Sequence, residues 1–164
     1  MRIGGKRLLL FLVFILLNIS CRGTQPIDLG YENASLVACP NRPNCVSSQV
    51  APAAEHYIKP FPRQNPSDQA IEQIAKIIQA LPRTKIVERE PHYLLAEFES
   101  LLFRYVDDVE FYISDDPASI HVRSASRLGY SDLGANRRRI EDIRQRYLIR
   151  LESIRNADED ALKP

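Results

Sequence analysis

Residues 123–141, RSASRLGYSDLGANRRRIE, carry the densest group of side chains able to hold a ligand, with five arginines in one short span. A guanidinium presents a rigid fork of donors that matches carboxylate and phosphate. Arg137, Arg138 and Arg139 fall near the start of a predicted helix. Backbone dipoles make that end positive, so basic side chains are poorly placed there. A bound anion would remove the conflict, because free N–H groups and guanidinium forks both favour it. Gly129 and Gly134 permit a tight turn, and Ser131, Asp132 or Asn136 can cap the helix. The candidate anion-binding set is therefore Arg123, Arg127, Tyr130, Ser131, Asn136, Arg137 and Arg138, for a small anion or an acidic protein segment.

A competing reading comes from strand register. In VEFYISDDPASIHVRSAS, a four-residue loop at 115–118 pairs Ser114 with Ser119. Ile113 then faces Ile120, Phe111 faces Val122 and Val109 faces Ser124 on an apolar side. The other side pairs Tyr112 with His121 and Glu110 with Arg123, and sets Asp108 beside Arg127. A register that matches apolar with apolar and acid with base is strongly specified. On this reading the sheet arginines neutralise neighbouring acids, and Arg137–Arg139 meet Glu141 and Asp142 on a solvated face.

Catalysis is less well supported. Cys45, Ser47 and Ser48 are possible nucleophiles, and His56, His92 and His121 are possible bases, but no spacing joins one to another. Asp107, Asp108 and Glu110 resemble a carboxylate group, yet strand alternation turns Asp107 away from the other two. No catalytic residue, metal or cofactor is expected. The net charge of +1 and a basic run, Arg137–Arg139, not interleaved with aromatics argue against nucleic acid as a partner.

The N-terminus sets the compartment. MRIGGKRLLLFLVFILLNISC places Arg2, Lys6 and Arg7 before an apolar run from Leu8 to Leu17. That is the order of a secretory signal, and the run is short for a membrane span. Its end on Cys21 resembles a bacterial lipoprotein signal. Ile19 and Ser20 suit that motif, while Asn18 replaces the usual aliphatic residue. The resemblance implies a diacylated Cys21, a membrane anchor and a location outside the cytoplasm. Arg22, in place of an inner-membrane retention aspartate, points to the outer membrane where there is one. Removal of residues 1–20 leaves 19 basic against 21 acidic side chains. An oxidising compartment permits disulfides, and CPNRPNC holds Cys39 and Cys45 six apart across turn-forming residues. A disulfide is expected there.

The elements that must position these groups are few. Residues 22–66 hold seven of the 11 prolines, which excludes long helices and central strands. Residues 21–36 are expected to be a tether, and Val46, Tyr57, Ile58 and Phe61 to pack along the domain. PSDQAIEQIAKIIQALP predicts a helix capped by Ser67 and Asp68 and closed by Pro82. Strands follow at Thr84–Glu88, Tyr93–Glu99, Phe103–Ser114 and Ser119–Leu128. A second helix covers Leu133–Ile154, with Leu133, Ile140, Ile143, Tyr147, Leu151 and Ile154 on one stripe. The order predicts an α+β domain over residues 37–155, with two helices on one face of an antiparallel sheet of about four strands, and a tail at 156–164.

CPNRPNCVSSQ, FRYVDDVEFYI and IHVRSASRLGYSDLGANRRRIEDIR resemble the marker segments of one family, the bacterial and chloroplast proteins grouped as domain of unknown function 1499. The similarity covers about residues 36–150. It implies no established activity and no catalytic residues.

Overall fold

The computed structural model describes residues 23–63, 69–114 and 119–161. Signal residues 1–20, Cys21, the caps Ser67 and Asp68, and the loop at 115–118 lie outside them.

Helix α1 (Ala70–Gln79) buries Ile71, Ile74, Ala75 and Ile78, the apolar stripe of a 3.6-residue period. Thr84 Oγ donates to the carbonyls of Ile78 and Leu81, which satisfies acceptors that the helix end leaves open. Strands β5 (Thr84–Arg89), β6 (Tyr93–Glu99), β7 (Val106–Ile113) and β8 (Ser119–Ser126) follow. Helix α2 (Ala135–Ala161) closes the chain order. It buries Ile140, Ile143, Tyr147 and Leu151. Leu133 lies before the helix with φ +54°, and α2 continues beyond residue 155, where a tail was expected.

The architecture is α+β, but the sheet is larger than the four predicted strands. Short strands β3 (Cys45–Ser47) and β4 (Phe61–Pro62) both pair antiparallel with β8, giving six strands ordered β3-β8-β7-β6-β5 with β4 also on β8. Proline bars a central strand and tolerates an edge, so the proline-rich segment supplies two brief edge pieces that show no alternation. The β7–β8 register matches the sequence expectation from Ile113↔Ile120 through Glu110↔Arg123.

Two layers flank the sheet. On one face α1 and α2 cover Leu94, Val109, Phe111, Ile120 and Val122, with Val46, Ile58 and Phe61 in the same core. On the other lies a smaller cluster of Leu36, Tyr93, Leu95 and Tyr112. Its cover is the segment expected to be a tether. A two-stranded hairpin, β1 (Tyr31–Glu32) with β2 (Ser35–Leu36), lies over it. Tyr31 stacks on Tyr112 with ring centroids 4.4 Å apart, and Leu36 is buried. Residues 29–36 are thus part of the domain, because the second sheet face has apolar side chains to bury.

Candidate functional site

Strand alternation sends Glu110, Asp108 and Arg123 to the second face. Glu110 is fully buried and accepts from Arg123 Nη1 at 3.0 Å, Tyr93 OH at 2.9 Å and the Gly30 N–H at 2.8 Å. Burial pushes the Glu110 carboxyl above its ordinary range, with Arg123 pulling it back. The same burial, aided by the Glu110 charge, raises the Tyr93 hydroxyl.

Arg127 completes a second network. Glu97 and Asp108 stand directly opposite one another on β6 and β7, an arrangement that like charges destabilise. Arg127 bridges them. It forms a bidentate pair with Asp108, Nε to Oδ2 at 2.8 Å and Nη2 to Oδ1 at 2.7 Å, and reaches Glu97 Oε1 at 2.6 Å. Its side chain is 6% exposed and that of Asp108 2%. The Asp108 hydrogen bonds hold the guanidinium above its usual pKa.

The start of α2 has its own solution. Asp132 accepts from the N–H groups of Gly134 at 2.9 Å and Asn136 at 2.7 Å, and Ser131 Oγ from Leu133 at 3.2 Å. The anion at this helix terminus is thus a side chain of the protein. Arg139 pairs with Asp107 at 2.5 Å and lies over the Phe98 ring. Arg137 donates to the carbonyls of Tyr57 and Glu55, and Arg138 to that of Leu133. Asn136 is buried. Its oxygen accepts from Ser124 and Arg139, and its nitrogen donates to Asn44 O and Ser126 Oγ, which ties α2 to the sheet.

The seven candidate residues therefore do not surround one opening. Arg123 and Arg127 belong to the second sheet face, whereas Asn136, Arg137 and Arg138 belong to the helix that packs on the first. Ser131 and Arg137 line a cavity of about 220 Å³ with Pro43, His56 and Asp132. Tyr130 is exposed. The structure adds groups that sequence reasoning missed: Tyr93, Glu97, Asn44 and Ser124. A signal existed for Glu97, since two facing acids call for a cation. None marked Asn44.

Cys39 and Cys45 are bonded, with an S–S distance of 2.06 Å, and so Cys45 carries no free thiol. Ser48 Oγ lies 3.3 Å from His121 Nδ1, a pairing the spacing did not reveal. Ser48 Oγ also accepts from the Val122 N–H at 2.9 Å, so it is part of the β-edge hydrogen bonding. No cluster of His, Cys, Asp or Glu able to hold a metal occurs among the described residues.

No curated protein and no solved structure matches the chain. A family model described as "Protein of unknown function (DUF1499)" matches residues 35–147, from strand β2 to Tyr147 of helix α2. That span covers more than half of the 164 residues and includes the disulfide, both ionic networks and the capped start of α2, and the chain belongs to this family.

Proposed function

We propose that this protein is a non-catalytic interaction domain, exported and held at a membrane by lipid on Cys21, whose arginines maintain the fold. One observation carries the second half of this reading. Arg123 and Arg127, the arginines that strand parity assigns to one face, are buried against Glu110, Asp108 and Glu97 beneath the covering N-terminal segment. Arg127 is held in a bidentate pair with Asp108 and reaches Glu97, and Arg123, whose Nε has no partner, is buried with its guanidinium against Glu110, so neither opens to an external anion. The perturbed carboxyl of Glu110 also lacks solvent access, and structural ion pairs shift pKa values as catalytic sites do. The first half rests on the order of basic residues, apolar run and Cys21.

A binding reading survives in a narrower form at Arg137. Among the described residues it has carbonyl partners and no carboxylate, and it lines the 220 Å³ cavity with His56 and Ser131. Glu55 and Asp132 share that cavity and oppose an anion there. Melting of the wild-type protein with added phosphate or citrate, against sodium chloride of equal ionic strength, separates the two. The interaction-domain reading expects no specific stabilisation. A rise in Tm that Arg137→Ala removes would establish the anion site instead. For the anchor, Cys21→Ser should leave an unprocessed precursor or release the protein from membranes. Unchanged mass and localisation would refute lipidation.

A further inference from the structure

We infer that one end of the sheet, formed by the β6–β7 loop and the β8–α2 turn, seats directly on a lipid bilayer. This inference rests on the membrane-anchored reading above and adds an orientation to it.

The β6–β7 connection was expected to enter a strand at Phe103. It leaves the extended conformation instead, with Arg104 at φ +56°, and hydrogen bonds between Ser100 and Tyr105 close the loop. Its tip is apolar and open: Leu101, Leu102 at 80%, Phe103 at 64%, and Tyr105. The rings of Phe103 and Tyr105 lie 5.6 Å apart, away from the core.

The β8–α2 turn belongs to the same end, because the Arg127 N–H donates to the Val106 carbonyl where β7 begins. It adds Leu128, Tyr130 at 71% and Leu133 at 84%. Among the described residues, seven of the twelve large exposed apolar side chains thus belong to this end. Single exposed leucines mean little, but a cluster of this kind marks an interaction surface. The β5–β6 turn at the other end of the sheet reads Arg89, Glu90, Pro91 and His92.

Three observations select a bilayer as the occupant. First, Gly23 packs against Arg127 and Leu128, its ideal Cβ lying 3.0 Å from Leu128 Cγ, so the described chain begins at this end. The apolar run Leu8–Leu17 and Cys21 precede it in sequence, Cys21 by two residues. Second, the basic residues Arg83, Lys85 and Arg104 lie together at this end beside the tip, with Glu97 and Glu99 among them and Arg104 paired to Glu99 at 2.8 Å. Basic side chains beside an apolar tip suit anionic headgroups over acyl chains. Third, the tip carries tyrosine and phenylalanine, whose rings suit the headgroup boundary. The strands would then stand on the membrane, with the β5–β6 turn directed away from it.

The chain contains no tryptophan, so a single one reports its own surroundings. Phe103→Trp, Leu133→Trp and Ile149→Trp are each made in the full chain and reconstituted into vesicles of phosphatidylcholine and phosphatidylglycerol. Ile149 is exposed on α2 about 21 Å along the helix from Ala135, at 1.5 Å per residue. Flotation first measures association. The expected result is a protein that floats, with emission shifted to shorter wavelength and quenched by bromine-labelled lipid at 103 and 133, and neither change at 149. A floating protein with no quenching at 103 and 133 overturns the inference while the anchor stands. Blue-shifted emission without bromine quenching also overturns it, and assigns the end to a protein partner or a second copy. Failure to float overturns both the inference and the anchor. Having two reporter positions in separate loops keeps the test decisive if one variant does not fold.

Discussion

Arg127→Ala is the substitution on which the structural role of the arginines stands or falls. The change deletes three charge-assisted hydrogen bonds and leaves Asp108 and Glu97 facing each other across β6 and β7 without the guanidinium that bridges them. Asp108 is 2% exposed, so its carboxylate depends on Arg127 rather than on water for its partners. Removing one partner of a buried pair costs about 3–5 kcal/mol, much of it the penalty of the stranded charge. At about 3–4 °C per kcal/mol for a domain of this size, Tm should fall by roughly 10–20 °C. The loss should shrink when Asp108→Asn is combined with it, since the double variant no longer strands that charge. Urea unfolding of the four members of this cycle supplies the coupling energy. A loss below about 1 kcal/mol, the range of exposed pairs, would refute the argument that Arg127 is consumed by the fold, and would make it available to a ligand.

Three further outcomes follow from the same geometry. Reduction of Cys39–Cys45 should lower stability by about 2 kcal/mol, because the loop is short, and mass spectrometry without reduction should find no alkylatable thiol on either residue. Asn136→Ala should cost about 1–3 kcal/mol by removing the buried hydrogen bonds it makes with Ser124, Arg139, Asn44 and Ser126, read by chemical denaturation; a neutral result would mean that water replaces the amide. Glu110 has a native pKa raised above 4.5, so the folded state holds a proton that the unfolded chain has released. Its contribution is full below the unfolded value and is lost as pH rises through the native one. Relative to Glu110→Gln, wild-type stability should therefore decline as pH rises from about 4.5, and a difference independent of pH would contradict the shift.

Much of the local structure was legible because it rests on periodicity. The 3.6-residue stripe of Ile71, Ile74 and Ile78 gives α1, and period-two alternation in β7 and β8 gives their register residue by residue. Acid facing base at Glu110 and Arg123 already indicated an internal pair, and the six-residue spacing of Cys39 and Cys45 indicated the disulfide. These features depend on neighbours in sequence or on adjacent strands of one hairpin. Tertiary structure decided the rest. Arg127 meets Glu97 from a strand 30 residues away, and Arg139 meets Asp107 across the boundary between helix and sheet. Arginines that break the dipole rule at a helix start suggest a ligand until packing supplies their acids and carbonyls. Residues 29–36 look like a spacer by composition, yet the second sheet face binds them because Tyr93, Leu95 and Tyr112 need cover. Phe103–Tyr105 has strand propensity, but the turn that joins β6 to β7 takes those residues and leaves them exposed. Sequence determines which residues alternate and which repeat. Only the folded chain determines which distant charge each arginine meets and which apolar side chains remain uncovered, because both depend on partners that sequence spacing does not encode.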